Sequence, residues 1–237
     1  MSVKDSPAPP QPSLDRVIAQ AGGVFTPHAG PWVAVNYGSA AGELAACVSS
    51  VGLADRSELT KLVLTGSAEA IDAVASRFAG AAVAAGGARL TGGAWWCRPA
   101  GGQLIVICEP ERGQRLRTHL RGHLARSCTV TLEDRSEAWA AIAVVGRRAG
   151  ALLSSLGVYG PSGDPRQAQP LTPCAIGEVP ALWLLESDDE ALAILPRENA
   201  AAAWQTIERA GRAFGLCAVG REAVVRYGLI RRARRPL

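Results

Sequence analysis

Along this chain, short apolar runs of strand character alternate with stretches whose apolar residues recur at helical spacing, and the same order of elements comes round twice. Leu62, Val63 and Leu64 form a dense run that predicts a buried strand, and Ile71, Val74, Ala75 and Phe78 then fall at i, i+3, i+4 and i+7 of a helix. A hairpin pattern follows in AWWCRPAGGQLIVIC, two apolar arms about Gly101-Gly102. The helix after Pro110 carries Leu116, Leu120 and Leu124 inward and Arg115, Arg117, Arg121 and Arg126 largely outward. The second round opens on a strand at Thr129 to Leu132 and the run AIAVVG. It continues through a helix marked by Ala149, Leu152, Leu153 and Leu156 to the hairpin VPALWLLESDDEALAIL, which turns at Ser187 to Glu190. A last helix presents Ala203, Trp204, Ile207 and Phe214 and breaks near Gly211, and an apolar segment from Ala218 to Ile230 ends the pattern.

Each round is introduced by the same tetrapeptide, Asp55-Arg56-Ser57-Glu58 before KLVLTG and Asp134-Arg135-Ser136-Glu137 before AIAVVG, and each apolar run stops at a glycine, Gly66 or Gly146. Both hairpins run into a proline with charged neighbours, Glu109-Pro110-Glu111 and Pro196-Arg197-Glu198. These suit a helix's first turn, where proline has no amide to lose and carboxylates meet the positive end of the dipole. The pattern predicts an α+β fold of two pseudo-symmetric β-α-β-β-α halves, about residues 32–127 and 128–230, in one bimodular domain over 14–230. Ahead of the first half, Leu14 to Ala21 reads as a short helix and Trp32 to Val35 as a strand. Ala40 to Val51 reads as a helix with Leu44, Cys47, Val48 and Val51 on one face and Gly52 as its stop. AAVAAGGARLTGG and residues 159–177 read as connecting loops, the proline-rich residues 1–13 as disordered, and residues 231–237 as a basic tail.

At 237 residues the chain is long enough for a sizeable core, and its 48% apolar content with only 5% aromatic residues implies thin, alanine-lined helices packed closely on sheets. The net charge of +4 owes much to Arg231, Arg232, Arg234 and Arg235, so nucleic acid is not an expected partner. Cys47, Cys97, Cys108, Cys128, Cys174 and Cys217 show no C-x-x-C spacing and read as small core residues in a reducing compartment. No stretch is apolar enough for a signal core or a membrane span, so the expected location is the cytoplasm.

The segment AVNYGSAAGELAACVSSVGLADRSELTKLVLTGSAEA resembles the opening of the folate-binding aminomethyltransferases, the T protein of the glycine cleavage system and its relatives. Tyr37-Gly38, Val51-Gly52-Leu53, Asp55, Ser57, Lys61-Leu62 and Gly66 carry the likeness, with Ala54 in place of the usual phenylalanine. ERAGRAFGLCAVGREAVVRYGLIRR is similar to the end of the family's folate-binding core. The resemblance implies a core of two similar halves, tetrahydrofolate as cofactor, no metal, and one-carbon chemistry on amines. It places Arg226 where the family has an arginine able to hold a carboxylate or a pterin oxygen bidentately.

Three features depart from the transferases. The loop before the first hairpin, Leu90 to Trp95, has no acid, Leu192 falls near the family's pterin-recognising acid, and the chain stops where a T protein begins its C-terminal barrel. The small gamma subunit of heterotetrameric sarcosine oxidase is similar in length and pattern, including a tryptophan-bearing first hairpin arm at Trp95-Trp96 and a cysteine in a proline-rich loop at Cys174. That likeness implies larger flavoprotein oxidase subunits as partners, with a homo-oligomer as the other assembly. Function divides accordingly between a small tetrahydrofolate-dependent transferase, a gamma-like accessory subunit, and a structural or interaction module that has lost its ligand.

No catalytic residue emerges: the serines and cysteines have no partnered base, and the glycine pairs lack phosphate-loop spacing. The folate candidates are Arg226, Asp55 and Trp96. Asp55 and Asp134 each read either as turn formers or as acids lining a groove between halves. Trp95, Trp96, Trp139 and Trp183 read as strand residues near the axis, packing in the core or stacking on a pterin. His119 and His123 have the spacing of a two-histidine metal face but arginine neighbours, and read as part of an exposed basic helix. His28 reads as an isolated surface histidine.

Overall fold

The computed structural model describes residues 13–125, 129–159 and 169–234. Helix α1 (Leu14–Gln20), hairpin strands β1 (Val24–Pro27) and β2 (Trp32–Asn36), α2 (Ala40–Ser49) and β3 (Val51–Asp55) come first. Then follow β4 (Thr60–Gly66), α3 (Ala68–Ala79), β5 (Gly87–Thr91), β6 (Ala94–Ala100), β7 (Gln103–Cys108) and α4 (Pro110–Leu124). The remainder is β8 (Val130–Asp134), β9 (Trp139–Val145), α5 (Ala149–Ser155), β10 (Gln169–Pro173), β11 (Leu182–Ser187), β12 (Glu190–Pro196), α6 (Ala200–Gly211), β13 (Leu216–Ala218) and α7 (Arg221–Arg234). The fold is mixed α+β, and the described residues form no barrel beyond it.

The helices start where side chains can take over amides that the first turn leaves unpaired. Ser39 Oγ accepts from the Gly42 amide at 3.1 Å, Ser67 Oγ accepts from Ala70 at 3.2 Å, and Pro110 opens α4. Glu43 is buried in α2 because both its oxygens are used: Oε1 accepts from the Tyr37 amide at 2.6 Å and Oε2 from the Gly220 amide at 2.7 Å. One carboxylate thereby fastens α2 to the segment before it and to the start of α7.

Eleven strands form one sheet in the order β13-β3-β9-β12-β11-β10-β5-β6-β7-β4-β8, in two wings joined where β10 pairs with β5. The chain changes wing between β3 and β4 and again between β8 and β9. β3 therefore lies antiparallel to β9, and β4 to β8. Strand alternation divides the core. Leu62 and Leu64 face a cluster under α3 and α4, Ile142 and Val144 face one under α1, α5 and α6, and Val63, Ala141, Ala143 and Val145 meet in a central cluster with Ala223, Val224 and Tyr227 of α7. The central cluster therefore lies between the wings.

Several elements differ from the sequence expectation. Each hairpin gains a third strand, β5 within the AAVAAGGARLTGG connection and β10 at the end of the second loop, because backbone exposed at a sheet edge finds ladder partners even in low-information sequence. Helix α2 stops at Ser49 and Gly52 lies inside β3, packed so closely that an added Cβ would come within 2.8 Å of Cys47 Sγ. The basic tail is helical as far as Arg234, where Arg231 pairs with Glu190 and Asp189. The proline-rich residues 1–12 and part of the second loop, 160–168, lie outside the described residues.

Candidate functional site at the crossing of the repeated phrases

The two tetrapeptides are the points where the chain passes from wing to wing, and they bond reciprocally. Asp55 Oδ1 accepts from the Ser57 amide at 2.9 Å, and Asp134 Oδ1 accepts from the Ser136 amide at 3.0 Å. The Arg56 amide donates to Ala141 O and the Arg135 amide to Lys61 O, both at 2.8 Å. Ser57 Oγ accepts from the Ala141 amide at 3.1 Å, and Ser136 Oγ from the Lys61 amide at 3.0 Å. Each serine thus satisfies a strand amide that its wing's ladder leaves open.

The side chains around the crossing are unequal. Arg56 is buried, its Nε donating to Glu58 Oε1 and its Nη2 to Glu109 Oε1, each at 2.6 Å, and Arg221 reaches Glu109 Oε2 at 3.1 Å. Burial alone would raise the Glu109 carboxyl, but Arg56 and Arg221 outweigh it and hold the carboxyl below its usual range. Lys61 is fully buried, and its Nζ donates to Ser57 O at 2.9 Å and Leu59 O at 2.7 Å, closing the first turn from inside. Burial, with the nearby charge of Arg197, lowers its pKa to about 8. Arg135, the counterpart of Arg56, is exposed and pairs with Glu133.

A cavity of about 620 Å³ opens at the first phrase, lined by Asp55, Ser57, Glu58, Arg16, Arg197 and Trp32 among others. Burial raises the Asp55 carboxyl to about 6, with the Ser57 hydrogen bonds opposing and the charge of Glu58 adding to the rise. Arg197, which follows β12, also borders this cavity and is tied to the second phrase, its Nε donating to Glu137 O at 2.7 Å. A neighbouring cavity of about 940 Å³ shares Asp15 and Arg197 and runs along α1 to Thr206 and Arg209.

The three residues that the family resemblance implies for folate do not meet. Asp55 lines the cavity just described; Trp96 is buried in the cluster under α3 and α4, 6.2 Å from the Phe78 ring; Arg226 stands exposed on α7. Strand alternation separates the neighbouring tryptophans, so Trp95 packs with Trp139 against the central cluster while Trp96 and Trp183 face outward under helices. Leu192, near the expected pterin-recognising acid, is 3% exposed within that central cluster. An apolar side chain there offers nothing to the pterin's donors, so these residues do not fit a tetrahydrofolate held between the wings.

His28 is not isolated: its Nε2 lies 2.9 Å from Glu111 Oε1, with Glu109 beside them. The three could converge on a cation, but both Glu109 oxygens are held by arginines whose charge opposes one. His119 is exposed and His123 sits edge-on to Phe78, with ring centroids 5.4 Å apart. Lys61 entered the family likeness only as a motif residue, and Glu186 did not stand out in the sequence at all. The available signal in both was a charge within an apolar strand. Glu186 bonds Trp95 between the wings and is pushed up to about 7 by burial and by Glu190.

No protein-family model matches the sequence, and neither does any curated protein. The fold is nonetheless that of the aminomethyltransferases: the crystal structure of glycine cleavage system aminomethyltransferase T from Bartonella henselae matches with a TM-score of 0.70 at 18% identity, over 89% of this chain and 59% of that one. A chain of heterotetrameric sarcosine oxidase from Corynebacterium sp. U-96, in complex with pyrrole 2-carboxylate, matches with a TM-score of 0.57 at 19% identity, over 74% of this chain and 92% of the other. The chain spans about three fifths of the transferase and nearly all of the oxidase chain. No helix among the described residues is long and apolar enough to cross a membrane.

Proposed function

We propose that this chain is an aminomethyltransferase-like accessory subunit, gamma-like in type, that works in cytoplasmic amine and one-carbon metabolism beside larger flavoprotein oxidase subunits. The observation that carries the reading is the packing between the wings, where Leu192, Ala143 and Leu184 share one buried apolar cluster with Ala223, Val224 and Tyr227 of α7, and where the acid Glu186 is bonded to Trp95. The match to nearly all of a chain from a heterotetrameric oxidase supports it. Residues 14–230 are read as one bimodular unit, with halves about 32–127 and 128–230 related by a pseudo-twofold axis. The reciprocal bonds of Ser57 and Ser136 support that relation.

Native co-purification tests the assignment, with a stable complex containing a flavoprotein as the expected result. A chain that elutes alone from its native host, or as a homo-oligomer, sinks the subunit reading. Tetrahydrofolate titration of the chain and of its complex separates this reading from a small transferase. The accessory role expects no binding on this chain and no effect of Arg226→Ala, whereas saturable binding lost in that variant would restore the transferase reading.

A further inference from the structure

Asp55 and Asp134 make the same turn, yet only one of them has a cation in ion-pair contact. Arg117 Nη2 stands 2.6 Å from Asp134 Oδ2, while no described side chain forms an ion pair with Asp55, whose carboxyl is repelled by Glu58 and Asp15 and attracted by Lys61 without touching it. Asp55 also lines the cavity of about 620 Å³, which it shares with Trp32, 68% exposed, and with Phe25 and Pro31. Neither of the two cations that border the cavity, Arg16 and Arg197, forms an ion pair with Asp55. Arg197 is held on the carbonyls of Glu137 and Ser136, and Arg16 extends from the exposed face of α1.

We propose that the Asp55 cavity binds a guanidinium group, which Asp55 receives as Arg117 is received by Asp134 and over which the Trp32 indole stacks. The planar fork of a guanidinium can donate twice to one carboxylate and lie flat on an aromatic face, and an indole beside a carboxylate offers both partners at once. The group is either an arginine side chain of a partner protein or a free guanidino acid, and the two differ in a carboxylate that Arg16 and Arg197 could hold. This inference does not rest on the subunit reading, since the cavity is a property of the chain alone.

The probes are N-acetyl-arginine amide, its lysine counterpart, N-acetyl-citrulline amide and free L-arginine, titrated into the full chain and followed by calorimetry. Saturable binding of the arginine amide is expected, weaker for lysine and absent for the neutral citrulline. Asp55→Asn should weaken it about ten-fold or more and Trp32→Ala about three-fold or more. Affinity should also fall as pH drops through about 6, where Asp55 protonates. Free L-arginine binding more tightly than the amide marks a guanidino acid as the source, and equal or weaker binding marks a protein side chain. Trp32 is on the surface, so its variant tests the site even if Asp55→Asn fails to fold. No saturable binding by the parent chain, or unchanged affinity in a folded Asp55→Asn, overturns the proposal. Tetrahydrofolate bound through Asp55 in the absence of arginine amide binding overturns it equally.

Discussion

Lys61 offers a prediction whose sign is set by burial. Its ammonium is enclosed and held only by the carbonyls of Ser57 and Leu59, with no described carboxylate in ion-pair contact, and its pKa falls from the usual 10.5 to about 8. Between those two values the unfolded chain keeps the proton that the folded chain has released, so the lysine's contribution to stability rises with pH through this window and is lost as pH falls through about 8. Each pH unit carries ~1.4 kcal/mol, giving a gain of about 2 kcal/mol between pH 8 and 9.5. The buried thiols of Cys47, Cys97 and Cys108 work in the opposite sense, because burial raises them and the unfolded chain ionises first. The diagnostic quantity is therefore the difference between the parent and Lys61→Met, in which the thiols cancel. Urea unfolding of both proteins at half-unit steps from pH 7 to 9.5 measures it. Methionine leaves two carbonyls unpaired, which lowers stability by a constant at every pH. A difference that stays flat across the window would mean that Lys61 is paired or hydrated in solution, and would refute the argument.

Ser57→Ala and Ser136→Ala should each cost about 1 kcal/mol, since each removes the acceptor of one strand amide across the crossing, and chemical denaturation of the two variants should give similar losses. Trp96→Ala should cost about 3 to 5 kcal/mol by leaving a cavity under α3 and α4, visible as a lowered Tm, with no change in ligand titrations if Trp96 serves only packing. Gly113→Ala should destabilise by about 1 to 3 kcal/mol, because its Cβ would lie 2.0 Å from Thr60 Oγ1 where α4 meets β4. Trimming Thr60 to alanine in the same background, which removes Oγ1 and Cγ2, should recover part of the loss.

Local pattern made much of the fold legible. The helices beginning at Ala68 and Pro110 and the hairpin turning at Gly101-Gly102 are written in short-range spacing, capping serines and turn residues, which act over a few positions wherever the chain goes. The strands β5 and β10 were not legible, because Gly87 to Thr91 and Gln169 to Pro173 carry little strand signal and are ordered by the partners they meet. Period two told that Trp95 and Trp96 face opposite ways but not which of them faces the other wing. That choice depends on the register of β6 against β5 and β7, a long-range property.

The same division holds for the repeated phrase. By itself the sequence offered the turn as one of two readings of Asp55 and Asp134, and that reading was within reach because the bond to the serine two residues on is local. Only the tertiary structure decided that one aspartate would meet Arg117 and the other a cavity walled by Trp32. Those neighbours come from α4 and from the β1–β2 hairpin, brought in by packing that no local spacing encodes.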